Sequence, residues 1–255
     1  MTEEITTVIF KEAVNYSNKG FSFDSFTLIR NKKLYFAIKR IADIFISLLV
    51  IILILSWLIP ILAILIILDS KGPVFFAQRR VGRFGKSFYC LKFRTMEMNI
   101  EADFKQAEDY DSRITKLGFY LRKTNLDELP QFINVLLGDM SVVGPRPHMQ
   151  KDCVDFNNII QEYKLRSLVK PGITGVAQVK GYRGPTNTLD SIINRYKWDI
   201  YYVKNANSNL DLKIIIKTVI QTVVQFFKII LKKRKSLFIK RRKKELQLGE
   251  KKFAA

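Results

Sequence analysis

Cysteine and histidine are scarce in this sequence of 255 residues, which holds two cysteines, Cys90 and Cys153, and a single histidine, His148. With no C-x-x-C pair and no Cys/His cluster, a disulfide framework and a structural zinc site are excluded, and a reducing compartment fits. Acidic residues are also short, 23 against 43 Lys+Arg, leaving a net charge of +20. Neither a P-loop nor a dinucleotide fingerprint occurs. Internal repeats and low-complexity linkers are absent as well. The cations are not interleaved with an aromatic platform, and no helix-turn-helix or RNA-binding signature accompanies them, so nucleic acid is not the expected partner.

Apolar sequence is plentiful, at 48% of residues. Ile44 to Leu68 is 25 residues without a formal charge, more than the roughly 20 a membrane helix needs. A largely polar stretch precedes it and no cleavage site follows, which argues against a signal peptide. Lys32, Lys33, Lys39 and Arg40 lie before it, and Lys71, Arg79, Arg80, Arg83 and Lys86 after it. Positive flanks on both sides place both ends at the cytoplasmic face. Ser56, Trp57 and Pro60 near the middle offer a helix break. A re-entrant helix-break-helix satisfies both observations; a spanning helix with a tolerated proline is the alternative.

Beyond Asp69, Ser70-Lys71-Gly72-Pro73 reads as a turn, followed by apolar Val74–Ala77 and a basic stretch to Lys86. Phe88–Phe93 reads as a short strand. Asn99–Ser112 reads as a polar surface helix or loop. Ile114–Gly138 fits helices interrupted near Lys123–Asn125. Ile214–Leu231 has no acidic residue and suits an amphipathic helix on a membrane surface. Lys228–Lys244 holds ten Lys/Arg and no acid, suited to anionic lipid or to a solvated tail. The expected fold class is α+β and mostly helical. It comprises an N-terminal extension (1–38), a re-entrant hairpin (39–69), a small cytosolic catalytic domain with interfacial helices (70–227) and a basic tail (228–255).

The chemistry-bearing candidates begin with Asp127 and Glu128, adjacent carboxylates at the expected first turn of a helix. Spacing alone favours a plain role, with Asn125 as cap, Glu128 closing a capping box and Asp127 complementing the dipole. The chemical alternative is one carboxylate attacking phosphorus while its neighbour holds Mg²⁺. Arg146, framed by Gly144, Pro145 and Pro147, is presented in a rigid turn suited to phosphate oxygens. Gln178 and Arg183 lie in a second glycine-rich region able to meet a nucleotide or sugar. Lys92 and Arg94 add anion-binding capacity on the expected strand.

Lys39-Arg40-Ile41-x-Asp43, Gly72–Phe76, Lys92–Met96, Leu126–Gln131, Gly138–Pro147 and Lys170–Gly175, taken in this order, resemble the bacterial sugar transferase family of monotopic phosphoglycosyl transferases. The resemblance runs from about Lys39 to Lys217. It implies a bacterial inner-membrane enzyme with its catalytic face in the cytoplasm, dependent on Mg²⁺ held by Asp127 and Glu128. It further implies that Asp127 is the nucleophile toward a UDP-sugar, releasing UMP through a covalent phosphosugar-aspartate. Undecaprenyl phosphate then takes the sugar phosphate. By the same motifs Arg122, Arg146, Lys92 and Arg94 meet phosphates. The Gly181–Gly184 element resembles the branch that handles hexose-1-phosphates for exopolysaccharide or capsule, with UDP-N-acetyl amino sugars left open. Anionic lipids are expected partners, and homo-oligomerisation stays open. Two departures stand out: Trp57, not proline, follows Ser56, and Met1–Ile38 is too short and polar for the multi-helix module that larger members carry.

Overall fold

In a computed structural model the described residues are 32–98, 111–184 and 188–253. Most of the polar segment expected at Asn99–Ser112, and nearly all of the N-terminal extension, lie outside them. The chain divides into two compact units, Met1–Thr218 and Val219–Ala255.

The first unit opens with one long helical run. Helix α1 (Lys33–Val50) passes into a π-helical segment (Ile51–Leu55) and then α2 (Ser56–Asp69). By length and composition Lys33–Asp69 is able to cross a membrane. The departure from α geometry therefore precedes Ser56, Trp57 and Pro60, and the helix continues through all three. The local reason is side-chain compensation: Ser56 Oγ donates to the Ile52 carbonyl at 2.6 Å and Trp57 Nε1 to that of Leu53 at 2.8 Å. Carbonyls at the π segment thus keep donors, and Pro60 is tolerated inside α2.

Both ends of this run are fastened to the rest of the first unit. Near the start, Lys39 pairs with Asp211 at 2.7 Å, Arg40 donates to the carbonyls of Val135 and Leu136, and Asp43 accepts the Val142 amide at 3.0 Å. At the far end, Arg94 donates to the carbonyls of Ser70, Lys71 and Gly72, and Asp69 accepts the Leu117 amide at 3.0 Å. The last turn of α2 is thereby capped from a distant strand end. Leu55, Leu62 and Ile66 pack with Phe93 and Leu121, so the otherwise exposed apolar helix has one face on the domain.

Strands β1 (Phe75–Val81) and β2 (Ser87–Phe93) form an antiparallel hairpin, and β3 (Ser141–Val143) pairs in parallel with β4 (Gly172–Thr174). The expected strand at Phe88–Phe93 is β2; β1 was not expected, because Arg79 and Arg80 disguise its pleat. Helices α3 (Lys116–Thr124) and α4 (Gln131–Leu137) flank a single 3-10 turn, Leu126–Glu128, in keeping with the interruption expected near Lys123–Asn125. The Asn134 side chain substitutes for a neighbouring strand, accepting from the Leu91 amide and donating to the Tyr89 carbonyl, which docks α4 on β2. Helices α5 (Gln150–Ile159), α6 (Val176–Val179) and α7 (Leu189–Asn205) follow, and α8 (Ser208–Phe253) begins in the first unit. In the second unit Val219, Ile220, Val223, Val224, Phe226, Phe227 and Leu231 are exposed along α8, an apolar surface that suits the amphipathic reading from Val219 onward, whereas Ile214, at the start of the expected span, is buried in the core of the first unit.

The β3–β4 crossing is close enough to require glycine. A methyl group on Gly144 would stand 2.4 Å from the Lys170 carbonyl oxygen and 2.9 Å from the Gly172 nitrogen, both backbone atoms. Gly144→Ala is therefore expected to destabilise the protein by about 1–3 kcal/mol through overpacking. Denaturant unfolding of nanodisc-embedded protein measures this.

Candidate active site

Asp127 and Glu128 sit on the 3-10 turn between α3 and α4, both less than one-tenth exposed. Asn125 adopts a left-handed conformation, φ 58°, which closes α3 and redirects the chain into this turn. The expected capping box does not form. Asn125 makes no side-chain cap bond, and the Glu128 carboxylate turns away from the turn's own backbone because three cations claim it. Lys92 Nζ donates to Glu128 Oε1 at 2.8 Å, Arg146 donates to Oε1 at 2.7 Å and to Oε2 at 3.3 Å, and Arg183 donates to Oε2 at 3.3 Å.

The two carboxyls differ sharply in their surroundings. Burial alone would raise Glu128, but Arg146 and Lys92, with Arg183 behind them, outweigh it and hold its carboxyl well below the usual range. Asp127 accepts no hydrogen bond from the described residues. Burial raises it to about 6, with Lys92 opposing and Glu128 adding to the rise. Arg122 lowers Asp127 through its charge without touching it. The pair thus combines a carboxylate whose ionised form is favoured by three engaged cations with a neighbour whose oxygens carry no hydrogen bond from the described residues.

Other expected site residues lie elsewhere. Arg94 is 4% exposed and spends its guanidinium on the carbonyls that end α2, so it is a structural cap and not a phosphate ligand. It follows the last residue of β2, and its side chain reaches back to the residues that follow α2. Gln178 is also buried and its amide nitrogen donates to the Ile173 carbonyl at 2.9 Å, while its side-chain oxygen has no partner among the described residues. Residues not foreseen include Arg166, Arg195 and Asp199, all buried behind Arg146 and Arg183. The i, i+4 spacing of Arg195 and Asp199 was the available signal, but such a pair reads equally as a solvated helix face.

A cavity of about 390 Å³ lined by Gly82, Pro145, Cys153, Asn157 and Arg166 is separate from this cluster, since neither Asp127 nor Glu128 borders it. Among the described residues no group of three or more His, Cys, Asp or Glu could hold a metal. The carboxylate pair nevertheless suits Mg²⁺, which binds through one or two carboxylates and takes its remaining ligands from water and substrate phosphates. Free Asp127 oxygens beside an ionised Glu128 meet that requirement.

A buried tandem carboxylate within a half-ring of cations has the charge and donors to receive a phosphate-bearing ligand. The chain belongs to the bacterial sugar transferase family, whose sequence model matches residues 34–225. It is 49% identical over 183 residues to the UDP-glucose:undecaprenyl-phosphate glucose-1-phosphate transferase of Klebsiella pneumoniae, covering 71% of this chain and 39% of that protein. It is 42% identical over 193 residues to the exopolysaccharide production protein PSS of Rhizobium leguminosarum bv. phaseoli, covering 74% and 96%. Identity is 43% over 195 residues to an Aeromonas hydrophila UDP-N-acetylgalactosamine-undecaprenyl-phosphate N-acetylgalactosaminephosphotransferase, covering 76% and 45%. The chain therefore spans about two fifths of the Klebsiella protein and nearly all of the Rhizobium one.

Removing Arg146 strips Glu128 of its largest charge partner. Arg146→Met is expected to cost about 3–5 kcal/mol, as for other broken buried pairs. The Glu128→Gln/Arg146→Met double variant should lose less than the two single losses added, which a double-mutant cycle on unfolding free energies measures.

Proposed function

We propose that this protein transfers glucose-1-phosphate from UDP-glucose to undecaprenyl phosphate at the cytoplasmic face of the bacterial inner membrane, beginning assembly of an exopolysaccharide or capsule. The observation that carries this reading is the division of labour between the adjacent carboxylates. Glu128 is saturated by Lys92, Arg146 and Arg183, while Asp127 beside it is buried and free of hydrogen-bond donors. The donor is taken from the Klebsiella relative's name and from the Gly181–Gly184 element.

In this reading the donor diphosphate enters between the cations, with Arg146 and Arg183 exchanging part of their contact with Glu128 for phosphate oxygens. The Asp127 carboxylate forms a bond to the sugar-bearing phosphorus as the phosphoanhydride bond breaks, and UMP leaves with the electron pair. A phosphate oxygen of undecaprenyl phosphate then attacks the same phosphorus, displacing Asp127 and regenerating the carboxylate. Bound to Asp127 and Glu128, Mg²⁺ would neutralise diphosphate charge and assist departure of UMP. Lys92 lowers the cost of ionising buried Asp127 and so keeps the nucleophile available.

The lipid substrate requires the carboxylates to lie close to the membrane, and a re-entrant course for Lys33–Asp69 supplies that. A spanning helix would put its ends on opposite sides of about 30 Å of hydrocarbon. Here Asp43 is bonded to Val142 and Asp69 to Leu117 of one domain, which favours return of the chain to the face it entered from. Exposed Leu, Ile and Phe side chains of α1 and α2 would then face lipid.

UMP release from UDP-glucose in the presence of undecaprenyl phosphate tests the reaction. Asp127→Asn is expected to abolish release, Glu128→Gln to weaken it, and chelation of Mg²⁺ to stop it; turnover by Asp127→Asn would exclude the covalent route. Because Asp127 is raised to about 6 and must be ionised to attack, kcat/KM should fall about tenfold per pH unit below that value and level off above it. Lys92→Met should move this limb to higher pH, since Lys92 favours the ionised form.

A further inference from the structure

Behind the carboxylate pair, α7 presents Arg195 and Asp199 one turn apart, respectively 6% and 2% exposed. Neither touches Asp127 or Glu128, yet each leads to one of the two arginines that do. Arg195 Nε donates to the Tyr182 carbonyl at 3.1 Å and its NH2 group donates to the Gly184 carbonyl. These are the backbone carbonyls on either side of Arg183, so a single guanidinium grips that loop before and after the residue it presents. Gly181, with φ 101°, allows the chain to turn into this grip. Asp199 accepts two bonds from Arg166, at 3.0 and 2.8 Å, and Arg166 donates in turn to the Arg146 carbonyl at 2.6 Å.

The third contact of Arg195 sets a proton position. Its NH1 group faces His148 Nε2 at 3.4 Å, and a guanidinium only donates. His148 Nε2 must therefore accept, which places the imidazole proton on Nδ1, directed at the Tyr163 hydroxyl. Burial, reinforced by Arg166 and Arg195, holds the His148 pKa well below its usual value and keeps the ring neutral. Arg195 forms no salt bridge with the described residues; its hydrogen bonds go to loop carbonyls and a neutral ring, and Asp199 acts on it only through charge. Keeping an arginine buried for such partners is costly. What it secures here is the direction of Arg183.

We infer that Arg195 and Asp199 are positioning residues for the donor phosphates, Arg195 aiming Arg183 by holding both flanking carbonyls and Asp199 aiming Arg146 through Arg166. This rests on the proposed role of Arg146 and Arg183 at the UDP-sugar. One helix would then set the spacing of both phosphate-binding guanidiniums, and a shift of α7 would misplace them together. Positional errors of about 1 Å in such groups cost on the order of 100-fold in rate.

The test uses the whole 255-residue chain in nanodiscs with UDP-glucose and undecaprenyl phosphate, measuring KM for each substrate, kcat and the thermal midpoint. Arg195→Lys keeps charge and much of the volume but cannot bridge two carbonyls; Arg195→Gln keeps a donor. Both are expected to raise the donor KM about 10- to 100-fold and to leave the acceptor KM unchanged. Asp199→Asn, which still accepts from Arg166, should raise the donor KM less than Asp199→Ala. Most decisively, adding Arg195→Lys to Arg183→Ala should change the donor KM by no more than about twofold, because the arm it aims is already gone. Losses that multiply in the double variant, or a lowered thermal midpoint with unchanged donor KM, overturn the positioning role. A wild-type protein that releases no UMP from any UDP-sugar would instead overturn the proposed reaction, and this inference with it.

Discussion

Glu128 is the point on which the catalytic unit closes. An ionised carboxylate removed from water is tolerable only with close charge partners, and those partners come from three separate parts of the chain. Lys92 arrives on β2, Arg146 in the turn after β3 and Arg183 on the loop after α6. Satisfying one buried group therefore draws the hairpin, the parallel strand pair and the glycine-rich loop to a common point. Asp127, one residue earlier, is carried there without partners of its own, which leaves its oxygens available for chemistry.

The membrane segment is organised by the same economy of buried polar groups. Lys39, Arg40 and Asp43 bond respectively to Asp211, to the end of α4 and to β3. Arg94 and Leu117 take up the other end of the helical run. A motif that invites reading as a lipid-facing basic cluster is thus occupied in docking the helix to the domain. Tyr202 extends that junction, with its hydroxyl bonded to the Val143 carbonyl and the Asp211 carboxylate. The carboxylate-bearing unit and the apolar helical run share these contacts, so Asp127 is held relative to that run by packing and not by a flexible tether.

Much of this was legible in the residues. The apolar run, β2, the break between α3 and α4, the Asp127–Glu128 pair and its cations Lys92, Arg146 and Arg183 all follow from patterning, turn residues and the family resemblance. Arg94 was misread because a donor near a glycine-containing turn suits a phosphate or a backbone carbonyl equally well, and only the fold says which is nearer. Arg195 and Asp199 passed unnoticed because polar groups four apart on a helix resemble a solvated face until that face is found buried. The helix irregularity fell ahead of Pro60, at Ile51–Leu55, because Ser56 and Trp57 return hydrogen bonds to carbonyls there.

By itself the sequence determined the chemical inventory: a tandem carboxylate, an excess of cations, an apolar segment long enough for a bilayer, and an ordered set of family motifs. These depend on residue identity and local spacing, which are present in the unfolded chain. Tertiary structure decided which cations meet Glu128, that Asp127 meets none directly, and that both ends of the membrane segment are tied to one domain. Those outcomes depend on burial and on contacts between residues 18 to 172 positions apart. At such separations, the competition among many similar arginines and lysines is resolved only by the fold.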